Sequence, residues 1–178
     1  MFIKRFVLGS SLVSCGLFGG WSGATVDSSE LQDLRARAAL QELHAAFHEA
    51  TTTGAHDLMF SLWAEDAVFS NPAGTFVGPA EITGFFAGTR GWGRQASVAP
   101  AYKTHFDVDG DTATFEYECI LVDGGGGDPL TTPMSTLPPG SQNPAVEIVA
   151  HLHAIGTAVK RPNGWVFHTY SGGAGPLQ

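Results

Sequence analysis

The chain has 178 residues, about the length of one ordinary domain, and 15% of them are charged against the roughly 25% usual for soluble domains. Acids outnumber bases 17 to 9, for a formal charge of −8. That balance excludes a nucleic-acid binder or a polybasic membrane-surface module, each of which needs a basic face. Twelve Phe and four Trp within a 43% hydrophobic composition exclude a disordered chain.

Residues 1–24, MFIKRFVLGSSLVSCGLFGGWSGA, read as an export signal. Lys4 and Arg5 form the basic start, an apolar run follows from Phe6 to Trp21, and Ser22-Gly23-Ala24 is an A-x-A-like cleavage site. The run is shorter than the roughly 20 apolar residues that span a bilayer. The expected location is therefore periplasmic or extracellular. Leu12-Val13-Ser14-Cys15 resembles a bacterial lipobox, so two outcomes stay open. Either Cys15 is lipidated and anchors the chain to a membrane, or it is one more apolar residue of the signal. Removing the segment discards two bases and no acid, which makes the mature domain, residues 25–178, more acidic still. Cys119 is then the one remaining thiol, flanked by Glu116 and Glu118, which disfavour a thiolate. It reads as a buried structural residue, with no internal disulfide expected.

From Ser28 the pattern is helical. Ser28 or Ser29 can cap, and Ala36, Leu40, Leu43, Phe47 and Ala50 form one apolar stripe that ends at Thr51-Thr52-Thr53-Gly54. His44 falls at the edge of that stripe and His48 further round, toward solvent. Their i, i+4 spacing could suit a metal, but the apolar stripe faces away from them and no His-Glu-x-x-His pattern is present, so a solvated face is the expectation. A short helix fits His56–Trp63, with Asp57 as a dipole partner, and Ala67–Ser70 reads as a strand. Asn71-Pro72-Ala73-Gly74 is a turn, and Gly78-Pro79-Ala80-Glu81 opens a third helix that runs to about Gly88.

The period then changes to two. Ala101–Val108 and Thr112–Val122 join through Asp109-Gly110, and Val146–Val159 and Trp165–Tyr170 join through Pro162-Asn163-Gly164. The loop 123–144 between the hairpins holds four consecutive Gly and five Pro, and reads either as a lid over a pocket or as a solvated insertion. Helices followed by long strands predict an α+β domain with three helices packed on the concave face of a curved antiparallel sheet.

Several segments resemble the nuclear transport factor 2-like superfamily, in particular its SnoaL-like branch. They are Ala55-His56-Asp57-Leu58, the run Leu62-Trp63-Ala64-Glu65-Asp66-Ala67-Val68-Phe69, and Gly78-Pro79-Ala80-Glu81-Ile82, with Gly110-Asp111-Thr112-Ala113 and Asn163-Gly164-Trp165 in the late sheet. The resemblance spans about residues 28–170. It implies a cone-shaped barrel around one pocket for a small hydrophobic ligand, lined here by Phe47, Trp63, Phe69, Phe115 and Tyr117. It also implies a homodimer through the sheet. Fold alone does not imply catalysis, because the branch contains enzymes and non-catalytic proteins.

Ketosteroid isomerase-like members place a carboxylate base at the end of the first strand and a Tyr on the first helix. The matching positions here are Asn71 and Phe47, neither of which can transfer a proton. Scytalone dehydratase-like members use strand histidines, and Lys103-Thr104-His105-Phe106 and His151-Leu152-His153 resemble those segments, while Thr51 and Thr52 replace the helix Tyr and Asp. The expected catalytic candidates are thus His105 and His153 as acid–base groups, with Asn71 orienting a ligand oxygen or completing its turn. Strand parity opposes this, because hydrophobicity alone turns Thr104, Phe106, Leu152 and Ala154 inward and the histidines outward. His168 and Tyr170 read as pocket rim or surface. No metal and no cofactor are expected. The function implied is an exported pocket protein for a small apolar molecule. It is either a His-based lyase or isomerase of polyketide- or steroid-like substrates, or a non-catalytic binding or dimerisation module.

Overall fold

The computed structural model describes residues 27–89, 91–94, 96–99, 103–123 and 147–174. The signal segment 1–24 with Cys15, Tyr102 and nearly all of loop 123–144 lie outside the described residues.

Helix α1 (Ser28–Thr53) is capped by Asp27, whose carboxylate accepts the Ser29 N–H at 3.1 Å. Ser28 and Ser29 lie inside the first turn rather than at the cap. The helix ends on Gly54, whose left-handed φ of 71° aims its N–H back at the Ala50 carbonyl. Helix α2 (His56–Ser61) is shorter than expected, because Trp63 already belongs to strand β1 (Trp63–Asn71). The Leu62 carbonyl takes the Phe167 N–H at 2.8 Å, which pulls the chain out of the helix and onto the sheet.

Strand β2 (Gly74–Val77) returns as a hairpin, and α3 (Gly78–Ala87) follows, with Glu81 accepting the Val77 N–H. A short strand, β3 (Ala96–Val98), precedes β4 (Thr104–Asp109), β5 (Thr112–Asp123), β6 (Glu147–Arg161) and β7 (Gly164–Ala174). The sheet order is β2-β1-β7-β6-β5-β3, and β4 shares the β3 edge of β5. Every pair is antiparallel except β1 with β7, which runs parallel. The last strand therefore sits between the first hairpin and β6. The sheet is mixed and does not close on itself, but it is the α+β cone the sequence implies.

Curvature comes from the long strands. Register shifts interrupt the ladders at Leu121/Val122 and Thr157/Ala158, and irregularities of this kind bend a strand and raise its twist. Gly156 lies at the tightest approach. A Cβ there would stand 2.1 Å from the Thr169 carbonyl oxygen and 2.6 Å from Phe115 Cζ. Only a hydrogen fits between β6, β7 and the inward ring of β5.

Within the curl, α1 lies against the sheet through Leu40, Leu43, His44, Phe47 and Ala50. The sheet answers with Ala113, Phe115, Tyr117 and Cys119 from β5, Ala154 and Ala158 from β6, and Phe167 and Tyr170 from β7. Alternation is strict along β5, whose intervening residues Thr112, Thr114 and Glu116 are exposed. Among the described residues no helix is long and apolar enough to cross a membrane.

Replacing Gly156 by Ala should destabilise the domain by about 3 kcal/mol or more, since both obstructing groups belong to the packed sheet. The urea midpoint of the purified variant reads this, and an unchanged midpoint would show that the pinch at Gly156 does not hold the fold.

Candidate functional site

The interior of the cone carries more polar chemistry than the apolar stripe suggests. His44 projects from the middle of α1 into four rings, with centroids 5.2 Å from Phe106, 4.7 Å from Phe115, 4.7 Å from Tyr117 and 5.1 Å from Phe167, all edge-on. It is only 5% exposed, and neither ring nitrogen has a hydrogen-bond partner among the described residues. Burial, with a smaller contribution from neighbouring His48, pushes its pKa down to about 3. The ring is neutral at any ordinary pH.

His48, one turn on, is held differently. Its Nδ1 lies 2.5 Å from the Ser97 hydroxyl on β3, while its buried Nε2 has no partner among the described residues. Burial lowers its pKa to about 4. Burial raises the neighbouring Cys119 thiol to about 11, against a smaller lowering by Ser97. When Ser97 gives its proton to that sulfur, Nδ1 of His48 must donate to Ser97, and Nε2 becomes the free acceptor.

Tyr117 and Tyr170 face each other beneath these histidines, and their hydroxyls hydrogen-bond to one another. Both are buried, and burial raises both phenols well above their ordinary range. Each ring is therefore a neutral hydrogen-bonding group, and the Tyr117 ring lies 5.6 Å from that of His48.

Beside Ser97 a cavity of about 170 Å³ opens, lined by Phe47, Thr51, Phe86, Thr89, Gly91, Trp92, Ser97 and Leu121. None of these side chains is charged. Trp92 reaches the cavity from the segment after α3. That segment is tied to the end of α1 by the Gly93 N–H, which donates to the Thr51 carbonyl at 2.9 Å.

The expected pocket residues fall mostly in the packed core around this cavity. Phe47 lines it directly, while Trp63, Phe69, Phe115 and Tyr117 form the aromatic wall behind, with Phe47 at 6.2 Å from Trp63 and Trp63 at 6.1 Å from Phe69. The catalytic candidates lie elsewhere. His105 is exposed on the outer face of the sheet, where it borders an open groove of about 600 Å³ with Asp107, Thr114, Glu116, Ile155 and Thr157. His153 is on that same face, its Nε2 2.9 Å from a Glu116 carboxylate oxygen. His151 bonds Glu118 at 3.0 Å, and Lys103 bonds the same carboxylate, holding its pKa below the ordinary range. Asn71 completes its turn: its side-chain oxygen accepts the N–H groups of Ala73 and Gly74 at 2.8 and 3.1 Å.

Two expectations about other residues are corrected. His44 and His48 do not form a solvated face, because β3, β4 and β5 curl far enough round α1 to cover the side that a flat sheet would leave open. Tyr170 is interior rather than surface, because the irregular β6–β7 register at Thr157/Ala158 turns both Phe167 and Tyr170 inward. His168 stays outside, 3.6 Å from Asp66. A stripe that counted His44, His48 and Thr51 together with Leu40 and Phe47 would have exposed the site. Nothing in the local sequence marks Ser97 or Trp92. Among the described residues no group of three His, Cys, Asp or Glu side chains is placed to hold a metal ion.

The model of the SnoaL-like domain family matches residues 32–171. The chain is a member of the SnoaL-like domain family. Among curated proteins, none matches the sequence. Solved structures resemble the SnoaL-like domain over most of its length. One is a nuclear transport factor 2-like protein with a cystatin-like fold from Novosphingobium aromaticivorans, at 17% identity and TM-score 0.66, covering 87% of this chain and 94% of that one. A cystatin-like-fold protein from Nostoc punctiforme gives 14% identity and TM-score 0.62, covering 79% of this chain and 92% of that one. The hexachlorocyclohexane dehydrochlorinase LinA-type3 from Novosphingobium barchaimii gives 15% identity and TM-score 0.61, covering 84% of this chain and 92% of that one. At these identities the likeness establishes the fold.

Both buried histidines have folded-state pKa values below the ordinary 6.5, so the unfolded chain binds the extra protons. Their contribution to stability is complete above pH 6.5 and is lost as pH falls toward 4, by up to about 3 kcal/mol for each ring. Thermal melts from pH 7 to 4 should show this loss, and His44→Phe should flatten the profile. A profile identical in the variant would mean that His44 is not the group being titrated.

Proposed function

We propose that the cone of this SnoaL-like domain binds a small, largely apolar molecule, with His48 and Ser97 supplying the hydrogen bond that orients it. The observation that carries this is His48 Nε2, a buried polar atom without a partner among the described residues, on a ring whose other nitrogen is fixed by Ser97, which itself lines a cavity with no charged side chain among the described residues. Buried polar groups are nearly always satisfied, and a ligand O–H or N–H donating to this nitrogen would satisfy it.

A second reading is a lyase or isomerase that moves one proton on the bound molecule, as on a polyketide- or steroid-like substrate. The same ring would serve, neutral and with Nε2 as acceptor. A histidine held near pKa 4 is a weak proton acceptor, so this chemistry requires a substrate with an activated C–H bond. His105 and His153, on the far face of the sheet, would contribute to neither reading. The proposal also includes export with loss of residues 1–24, or lipidation at Cys15, and a homodimer. The intact mass of the chain recovered from its native cells and its size in solution test these.

Neutral hydrophobic probes should raise the melting temperature of the purified protein. His48→Phe should weaken binding of hydrogen-bonding probes by about tenfold, while His105→Ala and His153→Ala change it less than about twofold. If no neutral probe stabilises the protein, or if the outer histidines abolish binding and His48→Phe does not, the reading fails.

A further inference from the structure

The segment that carries Trp92 is fastened in an unusual way. Gly54, the left-handed cap of α1, has φ 71°, and Gly93 has φ 65°. Their backbones touch, since a Cβ on Gly54 would lie 3.3 Å from Gly93 Cα and 3.3 Å from Trp92 Nε1. The indole is laid against a helix end that has no side chain. The carbonyls of the last helical turn need partners from outside the helix, and the Gly93 N–H supplies one of them to Thr51. At its other end the segment continues the end of α3, with Thr89 N–H on the Phe86 carbonyl at 2.9 Å and Trp92 N–H on the Thr89 carbonyl at 3.2 Å. The backbone that carries Trp92 is thus held from both sides, and its indole rests against Gly54.

The indole is one wall of the cavity of about 170 Å³. An apolar cavity of roughly 150 Å³ holds benzene, whereas pockets for drug-sized molecules run from about 300 Å³ upward. The room is for one ring. The lining contributes Phe47, Phe86, Leu121 and the indole, with Ser97, Thr51 and Thr89 as polar groups and no charged side chain among the described residues. Burial holds His44 and His48 neutral, so an anionic ligand would meet no compensating positive charge from them.

We infer that Trp92, seated on the Gly54–Gly93 contact, is the specificity-determining wall of the site, and that the ligand is an uncharged single-ring molecule with one hydrogen-bonding group. This rests on the binding reading above and narrows its small, largely apolar ligand to a monocyclic one.

The test is a binding series on the full chain with phenol, 2-naphthol, testosterone and 4-hydroxybenzoate, read by calorimetry and thermal shift. Phenol should bind at least about tenfold more tightly than 2-naphthol or the 4-hydroxybenzoate anion, and testosterone should not bind. Trp92→Ala should bring 2-naphthol level with phenol or ahead of it. Trp92→Phe, which keeps a ring and the fold, should give an intermediate ratio and replaces the Ala variant if circular dichroism shows that one unfolded. If 2-naphthol or testosterone binds the parent as tightly as phenol, or if both variants keep the parent's ratio, the size wall is overturned while the binding reading stands. If no member of the series binds the parent or either variant, the binding reading fails and takes this inference with it.

Discussion

The interior depends on how tightly β6 can bend over β5 and against β7. Gly156 permits that bend, because no side chain intervenes between the Thr169 carbonyl and the Phe115 ring. The tight turn of the sheet is what wraps β4 and β5 around α1 rather than leaving them as a flat floor beneath it. A flatter sheet would bury one narrow stripe of the helix. The curled sheet buries a wider one, and the added width holds His44 and His48.

That added width has an energetic character of its own. A neutral imidazole among four aromatic edges retains its packing but forgoes the hydrogen bonds it made with water, a cost of about 1–3 kcal/mol for each unsatisfied group. Domains keep such groups where they serve something other than stability. The Tyr117–Tyr170 pair differs: each buried hydroxyl has the other as a partner, one donating and one accepting. The phenols of the cone floor are thus paired, whereas His44 and His48 carry buried ring nitrogens without partners among the described residues.

Much of the fold was legible in the sequence because its signals are local. The α1 stripe, the Asn71–Gly74 turn, Pro79 at the start of α3 and the two Gly-containing hairpins each announce themselves within a few residues. Aromatic core positions followed from alternation, as at Phe115 and Tyr117. The parallel pairing of β1 with β7 was not legible, since it joins segments about a hundred residues apart and no local pattern records it. The site was harder still. Parity correctly opposed an inward His105, yet the resemblance to histidine-bearing strands kept attention on the sheet. The interior histidines come from a helix face that looks half-solvated until the curvature is known. Ser97 and Trp92 matter through what they touch, and a tripeptide strand and a Gly-rich turn carry no signature of that.

The order of the strands has a kinetic consequence. The last strand among the described residues, β7, occupies the middle of the sheet, bridging the β1–β2 hairpin to β6. Until residues 164–174 are present, the two parts of the sheet have no common neighbour, and β1 and β6 each present an unpaired edge. The nascent chain can form α1 and its early hairpin, but it cannot enclose them. Closure of the core is coupled to the arrival of β7, so a chain cut short before residue 164 leaves an open sheet rather than a slightly shortened cone.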